Sequence, residues 1–151
     1  MEINTRAPAI ARAQIEIEAD RETVWRTLTD FERWPSWKSD VSSLSMRGPL
    51  APGTTFVWKA GPGSIKSTLR EVDAPAGIAW TGTTFGIRAI DVFRLEERES
   101  RTLVVEEESW EGAIVRVLHG RLQRTLQTGI EQGLRSLKTE SERRTRERNA
   151  A

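Results

Sequence analysis

The stretch Asp20–Trp37, DRETVWRTLTDFERWPSW, carries three of the chain's six tryptophans, Trp25, Trp34 and Trp37. Asp20 is a good helix N-cap: its carboxylate accepts from unpaired first-turn amides and suits the positive end of the helix dipole. Val24, Trp25 and Leu28 follow at helical spacing and share one apolar face. Pro35 has no amide proton and restricts Trp34 before it, so the first helix ends or restarts there. The segment therefore predicts two short helices with a break between them.

Working outward, the segment before it, Ile10–Glu18, alternates apolar with polar residues, with Ile15 and Ile17 set against Gln14, Glu16 and Glu18. That is a strand with one wet face. After it come Val41–Met46, Thr54–Lys59, Ser64–Val72, Ile78–Thr84, Ile87–Glu97 and Thr102–Glu111, separated by turn signals such as Gly48-Pro49, Gly61-Pro62-Gly63 and Ala74–Gly77. Strands joined by such short connections read as an antiparallel meander. Beyond Gly112, the residues Ile114, Val117, Leu118, Leu122, Leu126, Ile130, Leu134 and Leu137 recur every three or four positions. They predict one long helix from Ala113 to about Arg143, spanning roughly 37 Å over its first 25 residues. Gly120, Gly129 and Gly133 within it each cost about 1 kcal/mol against alanine. They are expected to allow helix and sheet to approach closely, or else to leave room for a ligand. Residues 1–8 read as a loose arm, 9–143 as the folded domain and 144–151 as a loose charged tail.

Composition narrows the function classes. The chain has 151 residues, no cysteine and one histidine, His119. Thiol chemistry and Cys-based metal sites are excluded, and a His-rich metal site or a catalytic triad has no residues to build it. Formal net charge is +1, from 23 basic and 22 acidic residues, so no global field favours nucleic acid. Late arginines, Arg143, Arg144, Arg146 and Arg148 among them, are interleaved with Glu140, Glu142 and Glu147 and read as a solvated helix end. No apolar run approaches the roughly 20 residues of a membrane span. Met1–Glu18 lacks the apolar core of a signal peptide, so a cytoplasmic location is expected. There is no phosphate-binding glycine loop, dinucleotide fingerprint or HExxH motif, and neither a cofactor nor a metal is expected.

The order strand, two short helices, six strands and long helix, with EADRETVWRTLTDFERWPSW, GIAWTG, GIRAIDVFRLEE, EESWEG and GLRSLKTESERR as local matches, resembles the START-like (SRPBCC) superfamily. Its polyketide cyclase/dehydrase and lipid-transport group is the nearest in pattern. The resemblance implies an α+β helix-grip fold: a bent antiparallel sheet of about seven strands gripping the C-terminal helix, with a cavity between them. It also implies a small hydrophobic ligand, polyketide-, aromatic- or lipid-like, held by a monomer or homodimer that is either a carrier or a cyclase/dehydratase working by acid–base chemistry.

Strand parity then nominates the lining. Phe56 and Trp58, Ile78 and Trp80, and Ala89, Asp91, Phe93 and Leu95 share inward faces on their strands. On the last strand the resemblance selects Val104, Glu106, Glu108 and Trp110 over Leu103, Val105, Glu107 and Ser109. Asp91 interrupts an apolar strand where many relatives carry histidine; it either lines the cavity, or sits near a rim or pairs with Arg88 or an arginine of a neighbouring strand. Asp91 and Glu108 are the candidate acid–base pair. Trp34, Trp37, Phe56, Trp58, Trp80, Phe93, Glu106, Trp110, Leu118 and Leu122 form the candidate ligand-binding set, with Trp34 and Trp37 placed by the resemblance at the cavity mouth. His119 reads as a partly solvated helix-flank residue.

Overall fold

A computed structural model describes all 151 residues. Helix α1 (Arg21–Thr29) starts at Asp20, whose Oδ1 accepts from the Thr23 amide at 2.7 Å. Its apolar face buries Val24, Trp25 and Leu28. A 3-10 turn (Phe31–Arg33) leads into α2 (Trp34–Trp37), with Pro35 in the first turn, where its missing amide donor is harmless.

Seven strands follow the expected order: β1 (Ala9–Ile17), β2 (Val41–Arg47), β3 (Thr55–Ala60), β4 (Gly63–Asp73), β5 (Gly77–Thr84), β6 (Ile87–Arg98) and β7 (Arg101–Glu111). They form one antiparallel sheet in the order β1-β7-β6-β5-β4-β3-β2. Strands β2 to β7 are a pure meander, and β1 adds to β7, so the first and second strands are the two free edges. Bulges interrupt the ladder between Val41 and Ser43 and between Leu69 and Glu71. The main core fills the space under α1 and α2, where Phe31, Trp34, Phe56, Ile78 and Trp80 are all buried.

The C-terminal region departs from the expected single helix. It divides into α3 (Ala113–Val117) and α4 (His119–Ala150), because Leu118 adopts φ −104° and ψ 32°. Gly112 makes the turn out of β7 at φ 137°, and a Cβ there would lie 2.3 Å from the Gly86 carbonyl oxygen, so only glycine fits. The apolar period runs unbroken through Leu118, which is why it does not reveal the break. Helix α4 packs chiefly on β1, burying Leu126, Ile130, Leu134 and Leu137. It also covers the free edge of β1. Gln123 exchanges hydrogen bonds with both backbone groups of Ile10, Gln127 donates to the Arg12 carbonyl, Lys138 to the Glu16 carbonyl, and Glu142 accepts from the Glu18 amide. An edge strand left bare would template pairing with other chains; here a helix satisfies it.

Both termini are more ordered than the sequence suggests. The segment 144–150 continues α4, held by Arg144 on Glu140 at 3.0 Å and Arg148 on Asp20 at 3.2 Å. In the first eight residues, Asn4 donates its amide to Ser109 Oγ at 3.0 Å, and the amino group of Met1 pairs with Glu71. Neither segment carries apolar periodicity; the N-terminal one is fixed by polar contacts to residues distant in sequence, the C-terminal one by Arg148 on Asp20 together with the local pair of Arg144 and Glu140. No helix is long and apolar enough to cross a membrane.

Candidate functional site

A cleft of about 710 Å³ opens between the sheet and α4. Five strands, β3 to β7, and the helix build it. Trp58 of β3, Trp80 of β5 and Trp110 of β7 wall it, with Ile65, Ile87 and Ala89 between them. Two of the indoles are oriented by their own hydrogen bonds: Trp58 Nε1 donates to Ser67 Oγ at 3.0 Å and Trp110 Nε1 to Glu108 Oε1 at 2.7 Å. The mouth is framed by the β3–β4 turn Gly61–Gly63, by Phe85 at the β5–β6 turn, and by Arg121 and Arg124 of α4. Phe85 is 71% exposed and lies against Gly63, where a Cβ would come within 2.7 Å of its ring.

The register explains why acids enter this apolar wall. Asp91 stands directly across from Trp80 on one side and from Glu108 on the other, and Phe93 stands across from Glu106. Directly opposed residues share a face of the sheet, so Asp91, Glu106 and Glu108 converge. One carboxylate oxygen from each lies within 4.8 Å of the others. Asp91 is 8% exposed and its Oδ1 has no hydrogen-bond partner. The intervening Glu107 points to the other face, 3.6 Å from Arg94, and Arg88 is taken by Glu111 at 2.8 Å. The alternative pairing of Asp91 with Arg88 is therefore not what the structure contains.

Burial is the first cause of the unusual acidity here. It pushes the Glu108 carboxyl up to about 7, against opposing help from the Trp110 indole and the Lys38 charge. Burial and then the charge of Glu108 push Glu106 up to about 8. Asp91 is held well above the usual carboxylate range by burial and then by the charges of Glu106 and Glu108. Lys38 is the one nearby cation that opposes these shifts. Its Nζ lies 3.7 Å from Asp40 and 5.6 Å from the centre of the Trp34 ring, rather than in an ion pair with any of the three acids. Such a trio can hold protons near neutrality, exchange them with a ligand, or hold a cation by its oxygens.

Of the residues nominated from sequence, Asp91, Glu106, Glu108, Trp58, Trp80 and Trp110 line the cleft together. The others do not. Trp34 is 2% exposed and bonded to the Leu28 carbonyl at 2.9 Å, so it backs the wall from the core rather than standing at the mouth. Its ring lies 5.6 Å from Trp58 and 5.7 Å from Trp80. Trp37 packs edge-on against Trp34, outside the lining. Phe56 and Phe93 point inward as expected but sit behind Trp80, which covers them at 5.9 and 5.4 Å. Leu118 is exposed at the helix break, and Leu122 turns toward Ala9, Ala11 and Val115. His119 is exposed, outside the cleft.

Sequence reading missed Lys38, Asp40, Phe85 and the polar flank of α4, Arg121, Arg124, Thr125, Thr128 and Gln132. That flank has its own three- and four-residue period beside the apolar stripe, a signal present in the sequence. Of the two expectations for the helix glycines, close approach or open space, Gly129 and Gly133 meet the second. Gly129 lines the cleft with nothing within 4 Å of where its Cβ would stand, and Gly133 leaves room for Lys38, whose Nζ is 3.0 Å from that point. They leave space rather than bring helix and sheet together.

The model of the family described as polyketide cyclase / dehydrase and lipid transport matches residues 8–142, so the chain belongs to that family. No curated protein matches it in sequence. Among solved structures, a hypothetical protein from Helicobacter pylori superposes with a TM-score of 0.80 at 16% identity, over 92% of this chain and 91% of that one. The Zhui aromatase/cyclase from Streptomyces sp. R1128 gives 0.79 at 15% identity, over 90% and 94%. A START superfamily protein from Mycobacterium smegmatis gives 0.69 at 16%, over 89% and 97%. These likenesses establish the helix-grip fold, with its long C-terminal helix and seven-stranded sheet. Chemistry has to be argued from the site.

Proposed function

We propose that the protein binds a small, predominantly hydrophobic molecule in the cleft between the sheet and α4. The observation that carries this reading is the convergence of Trp58, Trp80 and Trp110 on one space of about 710 Å³, beside a helix flank kept open by Gly129. Flat indole walls with few polar groups suit an aromatic or aliphatic body, and the volume lies in the range of small-molecule sites. The test is fluorescence titration with N-phenyl-1-naphthylamine, a neutral probe that brightens in apolar surroundings. Binding should saturate at one site and weaken at least tenfold in Gly129→Leu, whose side chain fills the open space. Equal binding by both proteins would place the probe elsewhere and overturn the reading.

A second reading, a dehydratase, is favoured by the raised proton affinity of Glu108, Glu106 and Asp91. In it, the Glu108 carboxylate removes a proton α to a ligand carbonyl while the protonated Asp91 donates to a β-hydroxyl, which leaves as water. The new carbon–carbon double bond takes the electron pair of the broken C–H bond, and one proton returns from Glu108 to Asp91 through the carboxyl cluster. Conversion of 4-hydroxy-4-phenylbutan-2-one to its conjugated enone, followed by absorbance, tests this. Turnover lost in Asp91→Asn supports it. Absence of turnover leaves the protein a binder.

A further inference from the structure

We infer that the cleft selects ligands carrying an ammonium group, which Asp91, Glu106 and Glu108 hold while the indoles hold the ligand's hydrophobic body. This rests on the cleft being a ligand site and specifies what that ligand carries. Three observations lead there. The three acids offer oxygens within 4.8 Å of one another at the inner wall of the cleft. An ammonium donating three charge-assisted bonds of about 2.8 Å in tetrahedral directions needs acceptors about 4.6 Å apart. Asp91 is 8% exposed and faces the cleft; its carboxyl shares a hydrogen bond with Glu106, while its Oδ1 has no partner within the protein. A buried acceptor left bare is costly, and a donor brought by a ligand would complete it.

The third observation is the wall around the acids. Trp80 stands directly across the ladder from Asp91, and Trp110 bonds Glu108. Indole faces attract cations as well as covering hydrocarbon. A hard divalent ion prefers a cage of oxygen ligands and retained waters, which indoles do not supply. An amine with an aromatic or alkyl body meets both halves of this surface.

The charges that face the acids set the pH dependence. From the α2–β2 connection come Lys38 and Asp40, paired at 3.7 Å. From α4 come Arg121 and Arg124 at the mouth. No histidine lines the cleft. Glu106 and Glu108, pushed up chiefly by burial to about 8 and about 7, are thus the groups that titrate near neutrality, and burial raises Asp91 in the same direction. An entering ammonium favours their ionised forms, so binding expels protons and tightens as pH rises while the amine remains charged.

The experiment is isothermal titration of the full chain with two probes of one shape, 2-naphthylmethylamine and 2-naphthylmethanol. The amine should bind roughly tenfold or more tightly than the alcohol, as one buried charge-assisted hydrogen bond provides. Its affinity should climb from about pH 6 to about pH 8 with proton release, while that of the alcohol stays flat. Asp91→Asn should reduce the amine to the level of the alcohol measured on the same variant; Glu108→Gln serves equally if the first variant folds poorly. Equal binding of the two probes, or a preference that survives both variants, overturns the inference while the cleft stands. Failure of both probes removes the cleft reading and the inference with it. Displacement of the amine by manganese(II) at lower concentration than the amine itself requires would make the acids a metal site and overturn the inference too.

Discussion

Glu106 shows in one residue what this site costs the fold. Its carboxyl is 5% exposed, and burial together with the Glu108 charge raises its pKa to about 8 from an ordinary 4.5. Between those two values the folded protein keeps a proton that the unfolded chain releases, so folding stability from this group falls as pH rises. It is fully present below about 4.5 and lost through about 8. Glu106→Gln removes the titration. Thermal melts should show the variant more stable than the wild type at about pH 8.5, by on the order of 2 kcal/mol, and little different at about pH 4. Equal melting at the higher pH would show that the site is wetter than its burial implies. At the residue scale period two sets which side chains share a face: Trp58, Trp80 and Asp91 line one cleft, as strand parity nominates, although the sequence leaves Asp91 between the cavity and an arginine partner. Parity fails where depth matters. Phe56 and Phe93 share that face, yet Trp80 covers them. Parity says which way a side chain points, not what stands in front of it.

Helix α4 shows the same division at the scale of an element. Its apolar stripe was legible because Leu126, Ile130, Leu134 and Leu137 all need the same partner. The break at Leu118, inside an unbroken apolar period, was not, and the ordered end beyond Arg143 rests in part on a group distant in sequence. Arg144 reaches Glu140 and Arg148 reaches Asp20, the residue that caps α1. Removing residues 143–151 should therefore loosen α1 as well as shorten α4. Exposed pairs of this kind contribute about 0.2–1 kcal/mol each, so the loss should be about 1–2 kcal/mol in a urea melt, and smaller in high salt. Gly129 gives a prediction of opposite sign. Gly129→Ala places a methyl where nothing lies within 4 Å and should stabilise the helix by about 0.5–1 kcal/mol. Destabilisation by that change would mean that the helix flank is packed rather than open.

Across the whole molecule, the fold was legible because every level agreed. Asp20 capped the first helix, turn residues separated the strands, and one apolar stripe needed one sheet. The family match over residues 8–142 and the superposition on START-like structures rest on that same order of elements. The cleft was half legible. Its sheet wall follows from strand parity, whereas its helix wall and mouth, with Lys38, Phe85 and Arg121, come from how α4 lies along β1 rather than across the middle of the sheet. The central claim is that this space, and no other, receives the ligand. The six tryptophans provide six indole N–H reporters for it. Two-dimensional proton–nitrogen NMR, with the indole signals assigned by substitution, should be followed during titration with 2-naphthylmethanol. The signals of Trp58, Trp80 and Trp110 should shift together along one saturation curve, with Trp34 behind them shifting less and Trp25, on the buried face of α1, holding still. A saturating titration that moves Trp25 or Trp37 and leaves those three in place would contradict the account.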